Sequence, residues 1–255
     1  MRCVLAVLVI LATLAASPGA AQAAGWKPHM RDATQFALAR DGVTAIAVHT
    51  QSDTYGFRAR RQFYSASVLK SMLLVAYLRQ RDVRSRPLTR AEERLLGPMI
   101  RRSANKPASA LVTRLGAARI SRFARRAGMR SFVPVTGLWG RSLITAEDQA
   151  RYFMRIDSLI PPRHREYAMG LLETIVERQR WGVARVQPAG WRLYFKGGWG
   201  SGTGAVENQV ALLTNGERRI SLAILTHRSR SHAYAKKTLE GVARRLLRGL
   251  AADGA

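Results

Sequence analysis

The chain has 255 residues, of which 47% are hydrophobic and 23% charged, and its 42 lysines and arginines against 16 acidic residues give a net charge of +26. That is the make-up of one compact globular unit or two small lobes with a real core. The charge is spread over every segment, with no basic tail and no interleaved aromatic platform, so nucleic acid is not the expected partner.

The first residues, MRCVLAVLVILATLAASPGAAQAAGW, combine Arg2, an apolar run over 4–14 and a small-residue stretch ending Ala21-Gln22-Ala23. This is the pattern of a cleavable secretory signal over 1–23, with an uncleaved anchor as the alternative; the run is short of the ~20 residues of a membrane span. Cys3, the one cysteine, leaves with the signal, so no thiol nucleophile or thiolate metal ligand remains. A secreted or cell-envelope location follows. There, so positive a field draws the protein to an anionic wall or envelope, unless it simply reflects an arginine-rich genome.

A helix is expected over 29–41, then two strands over 43–49 and 54–58 joined by the polar turn Gln51-Ser52-Asp53. Helical spacing returns over 67–82, and shorter helical pieces run to Gly128, broken at Pro87, Gly97, Pro107 and Gly116. Residues 129–144 read as an irregular loop. Thr145 then caps a helix over 146–156, with Glu147 and Asp148 in its first turn. After Pro161-Pro162 another helix is expected to about 180. Three antiparallel strands follow, the last two joined by Asn215-Gly216, and a helix over 232–247 ends the fold. Strands at both ends with helices between predict an α+β architecture: an antiparallel sheet flanked by helices, with an inserted all-helical lobe. The sheet lobe takes about 24–66 and 190–255, the helical lobe about 67–189, all within one domain over 24–255.

Within FYSASVLKSMLLVAYLRQ, Lys70 stands in an apolar helix three residues after Ser67, on the same face and about one turn away. A serine hydroxyl needs a base to become a nucleophile, and a lysine among apolar groups can have its pKa lowered enough to serve. Ser67 at a helix start would also offer backbone N–H groups to a developing oxyanion. Ser103-Ala104-Asn105-Lys106 is a second S-x-x-K, but Pro107 follows it and it reads better as S-x-N. Lys196-Gly197-Gly198 closes a strand ahead of a glycine-rich bend.

S-x-x-K, S-x-N and K-x-G in that order resemble the signature set of the serine β-lactamases and penicillin-binding proteins, and the chain is similar to the class A β-lactamase branch over essentially all of its mature length. TYGFRARRQFYSASVLK, PMIRRSANKPASALV, ITAEDQARYF and WRLYFKGGWGSG carry the resemblance. It implies an acylated nucleophile at Ser67, a general base or proton relay at Lys70, and a proton shuttle at Ser103. It also implies that Asn105 and Lys196 bind substrate and that Ser67 and Trp199 lend backbone N–H groups to an oxyanion hole. The implied substrate is a β-lactam or a small peptidoglycan-like amide, with no cofactor and no metal.

Three positions depart from the family pattern. Ala104 replaces the central acid of S-D-N, and Gly197 replaces the hydroxyl of K-T-G, for which Ser201 or Thr203 can substitute. From Asn105 through Ala146 there is no Asp or Glu, so the glutamate that activates the deacylating water in class A enzymes has no counterpart there. Glu147 and Asp148 read as capping residues, and Glu166, Glu173 and Glu177 as ion-pairing ones. An acyl-enzyme that persists, as in a D,D-peptidase or slow esterase, is one expectation; a non-catalytic wall-binding protein on the same fold is the alternative. The histidines lack HExxH spacing, and GGWGSGTG lacks the GK[ST] ending and the helix of a nucleotide site.

Overall fold

The computed structural model describes residues 26–250 except 136, 201 and 203. The signal reading, Cys3 and the substrate-binding expectations for Ser201 and Thr203 therefore lie outside the described residues. Five antiparallel strands form the main sheet, in the order β2 (Thr54–Phe57), β1 (Val43–His49), β7 (Arg218–His227), β6 (Val206–Asn215), β5 (Arg192–Gly200). The β6–β7 hairpin turns at Asn215-Gly216, where Gly216 has φ +54°, the conformation such turns require. Strands β1, β6 and β7 are buried along almost their whole length, which requires cover on both faces. One face carries α5 (Ala146–Met154), tied by the Ser221 hydroxyl donating to Ala150 O at 2.7 Å. The other carries α8 (His232–Leu246) with α1 (Met30–Leu38) packed against it.

The remaining helices lie between β2 and β5 in sequence. They are α2 (Leu69–Leu78), α3 (Arg90–Arg101), α4 (Asn105–Arg126), the single turn α6 (Ile156–Leu159) and α7 (Arg165–Glu173). Every residue of α2 is buried, as its nearly unbroken apolar sequence demands, and Lys70 is the one charge on it. The start of α3 is fixed by a reciprocal pair in which Thr89 and Glu92 each accept from the other's backbone N–H. A two-stranded ribbon, β3 (Gln62–Tyr64) with β4 (Leu143–Thr145), joins the chain before Ser67 to the start of α5.

Several boundaries differ from expectation. The helix expected over 67–82 opens as a 3₁₀ turn, Ala66–Val68, and ends at Leu78. Gly97-Pro98 lies inside α3 rather than ending it, and the Pro98 carbonyl accepts the N–H groups of Arg102 and Ala104 just beyond the helix. Pro107 sits in the first turn of α4, where a missing N–H costs nothing. Gly116 does break regular geometry, at φ +69° and ψ 162°. The helix after Pro161-Pro162 stops at Glu173, where the β-branched run Thr174-Ile175-Val176 begins and the Thr174 hydroxyl bonds back to Gly170 O. The ribbon β3–β4 falls partly in the stretch read as irregular loop; three-residue strands give no readable alternation.

Candidate active site

Strand alternation sorts β5 into two chemistries. Lys196 and Gly198 point to the face that meets the Ser67 turn and Ser103, whereas Gly197 and Trp199 point to the face that carries Trp181 and His232 at the start of α8. A Cβ built on Gly198 would stand 2.5 Å from Ser67 N and 2.7 Å from Val68 N; one on Gly197 would stand 2.9 Å from the Trp181 ring. The two glycines are therefore needed for different close approaches, the first bringing the sheet edge against the turn that carries Ser67. Ala66 in that turn has φ +44° and Ser103 has φ +55°. Left-handed backbone costs a non-glycine residue on the order of 1 kcal/mol or more, and both instances flank the same cleft.

The expected residues Ser67, Lys70, Ser103, Asn105 and Lys196 come together. Lys70 Nζ donates to Ser103 O at 2.5 Å and to Asn105 Oδ1 at 2.8 Å, and lies 3.1 Å from Ser103 Oγ. Lys196 Nζ reaches the same hydroxyl at 3.1 Å and Gly197 O at 2.7 Å. Ser103 Oγ is thus held between two lysine nitrogens. Burial pushes the Lys70 ammonium down to about 7. Lys196 is pushed well below its ordinary value, first by burial and then by the charge of Lys70. Ser67 is half-buried in a cleft of 410 Å³, shared with Asn105, Trp139, Arg141 and Trp199, and its hydroxyl has no hydrogen-bond partner among the described residues.

Among the described residues lining that cleft there is no carboxylate. Where the loop after S-x-N approaches the site it presents Trp139, whose ring centroid is 5.2 Å from Lys70 Nζ and whose Nε1–H donates to Ser109 Oγ at 3.1 Å. The nearest acids in sequence are occupied elsewhere. Glu147 pairs with Arg60 at 3.0 Å and Arg151 at 2.8 Å, and Asp148 accepts from Ser131 N while its own N–H is capped by Thr145. Glu173 pairs with Arg192 and Glu177 with Arg185. Sequence reasoning did not single out Trp139; an aromatic in a glycine-bearing loop gives no signal of which wall it will form.

Behind Trp199 lies a second unanticipated group. Trp199 is more than half exposed and its ring lies 4.4 Å from that of His232, whose Nδ1 contacts the buried Glu207 carboxyl. Burial pushes Glu207 up to about 9 and His232 down, and both shifts favour a protonated carboxyl facing a neutral imidazole over an ion pair. Folding thus favours protonated Glu207. Its contribution is complete below the ordinary carboxylate range and is lost as pH rises from about 4.5 toward 9. Glu207→Gln, which keeps a donor to His232 and cannot ionise, is expected to raise the melting temperature at pH 8 by ~4 °C or more and to change it little at pH 5. Thermal melts at the two pH values check this; an equal shift at both would refute the neutral pair.

The model of the beta-lactamase enzyme family (Beta-lactamase2) matches residues 89–250, a span that includes Ser103, Asn105 and Lys196. No curated protein matches by sequence. Among solved structures, the chain is similar to a class A beta-lactamase from Mycobacterium abscessus, at 20% identity and TM-score 0.75 over 87% of this chain and 99% of that one. It is similar to a beta-lactamase from Sphaerobacter thermophilus, at 19% identity and TM-score 0.72 over 85% and 96%. A class A beta-lactamase of the last common ancestor of Gram-negative bacteria superposes at 19% identity and TM-score 0.73 over 86% and 98%. At these identities the superpositions establish the fold, and the family match, which takes in well over half of the residues, makes the chain a member of the beta-lactamase enzyme family, a β-lactamase-like hydrolase at family level.

Proposed function

We propose that the chain is an exported active-site serine hydrolase in which Ser67 is acylated by β-lactams or by D-Ala-D-Ala-like amides, and in which the acyl-enzyme turns over slowly. The observation that carries this reading is the Ser103 hydroxyl held 3.1 Å from each of two buried lysines, one of them brought to about 7. A neutral Lys70 keeps two N–H groups for Ser103 O and Asn105 Oδ1 and has a lone pair free to take the proton of Ser67. The proton then passes through Ser103 to the leaving nitrogen. Lys196 supplies positive charge to Ser103 and to a substrate carboxylate, Asn105 bonds the substrate amide, and the backbone N–H groups of Ser67 and Trp199 receive the oxyanion. The secretory pattern over 1–23 and the +26 charge support an envelope location.

Slow turnover follows from what covers Lys70. Hydrolysis of an acyl-serine needs a base beside the attacking water. Trp139 occupies that side with an apolar ring, and the described lining offers no carboxylate. The product is then a long-lived adduct, as in a D,D-peptidase or slow esterase. The same absence favours a second reading, a non-catalytic wall-binding protein on this fold.

Intact-mass spectrometry after exposure to a reporter penicillin, with Ser67→Ala as control, separates the readings. A stable penicilloyl adduct on the wild type alone is the expected result. Fast loss of lactam without an adduct would overturn slow turnover, and neither adduct nor turnover would sink acylation by lactams and leave the binding-protein reading.

A further inference from the structure

Away from Ser67, the far end of α2 opens on another cleft, of 510 Å³, that shares no lining residue with the first. Lys70 and Arg79 are nine residues apart, ~13 Å along the helix. The walls of this second cleft carry six arginines. Arg79, Arg81 and Arg84 come from the end of α2 and the turn after it; Arg119, Arg122 and Arg126 come from α4 beyond Gly116. Spacings of three and four put the latter three on one helix face, aimed at the former. Phe123, buried between them in sequence, gives the cleft an apolar floor.

Among the described residues these cations lack carboxylate counter-ions. Asp82, the one carboxylate in the lining, is engaged by Arg114 at 3.3 Å. Arg79 donates to Leu159 O at 2.6 Å and Arg119 to the carbonyls of Arg114 and Leu115 at 3.4 Å. Among the described residues, none of the six has a carboxylate within ion-pair distance. Burial, with Arg126 and Arg84 close by, pulls Arg79 below the ordinary guanidinium range. A concave wall of uncompensated like charges focuses its field into the cleft and is relieved only by an anion that enters it.

Size and charge select the anion. The volume lies in the range of small-molecule sites, which a flat membrane or a duplex cannot enter. A counter-charge able to answer six guanidiniums within so small a space requires several acidic oxygens on few atoms, and the guanidinium fork matches phosphate oxygens two at a time. We propose that this cleft binds a compact soluble anion carrying two or more linked phosphate groups, held between the end of α2 and the outer half of α4. The proposal is independent of acylation at Ser67.

Calorimetric titration of the full protein with pyrophosphate, and separately with inorganic phosphate, at 0.15 M salt tests it. Pyrophosphate is expected to bind at least tenfold more tightly than inorganic phosphate and to raise the melting temperature. Arg122→Ala with Arg126→Ala, both exposed, is expected to weaken pyrophosphate at least tenfold. Arg31→Ala with Arg178→Ala, exposed positions outside the cleft with the same loss of charge, is expected to weaken it less than twofold. Should the first double variant lose its fold, the single change Arg122→Gln carries the same comparison. Equal weakening by both pairs would assign binding to the overall charge and overturn the proposal, as would the absence of pyrophosphate binding. Retention on phosphatidylglycerol vesicles that the cleft variant alone abolishes, without pyrophosphate binding, would give the site to a lipid headgroup and overturn it too.

Discussion

Lys70→Met is expected to slow acylation of Ser67 by a reporter penicillin about 10²–10⁴-fold, the span that a positioned general base contributes. The wild-type rate should rise through pH 7 and level off above it, because burial places the Lys70 transition at about 7 and only the neutral amine can accept a proton. In the variant that limb should vanish with the amine that sets it. Lys70→Arg should behave like Lys70→Met, because a guanidinium stays protonated. The stability effect runs the other way. A lysine whose folded pKa lies below its unfolded value penalises the native state at pH 7 and below, and the penalty fades as pH rises from about 7 toward 10.5. The melting temperature of Lys70→Met at pH 6 should therefore not fall. Stopped-flow acylation across pH 5–10 together with thermal melts checks both; an unchanged pH limb in Lys70→Met would remove Lys70 as the base.

Gly198→Ala should be nearly as damaging, by a route that involves no titrating group. The added carbon would press on two backbone nitrogens, Ser67 N and Val68 N, which cannot rotate away as a side chain can. Either β5 or the Ser67 turn must move. An overpacked site of this kind costs about 1–3 kcal/mol of stability, and a displacement near 1 Å costs ~10² in rate. Gly202→Ala, two residues past the strand, meets nothing within 4 Å and should leave the melting temperature unchanged. Equal acylation rates for Gly198→Ala and wild type would mean that the close approach of sheet and turn is not required for the chemistry.

The contrast between these residues also explains what the sequence could disclose. Lys70 was legible because a charge inside an unbroken apolar run contradicts its surroundings, and Ser67, Ser103, Asn105 and Lys196 followed from spacing and order. The sheet was legible from long alternating or apolar strands and from Asn215-Gly216. What escaped depends on contacts between distant segments. Trp139 over Lys70 joins residues 69 apart, and the Glu207–His232 pair arises only when α8 lies on β6. Glu207 alternates within an ordinary strand and His232 opens an ordinary helix, so neither breaks a local rule. Helix ends escaped for a related reason, since side-chain caps such as Thr174 compete with periodicity over a single turn.

The central pairing of the sheet sets an order on events during synthesis. β1, residues 43–49, finds its long antiparallel partner in β7, residues 218–227, and β2 hangs on β1 alone. Until β7 has left the ribosome, β1 has only the short strand β2 beside it. Helix α5, which rests on both, has only half a floor. Closing a loop of this length adds little free energy beyond that of a shorter one but delays the contacts that reward it. The main sheet therefore stays incomplete for most of translation. For the export proposed above, that delay would leave a chain still open when it meets the membrane.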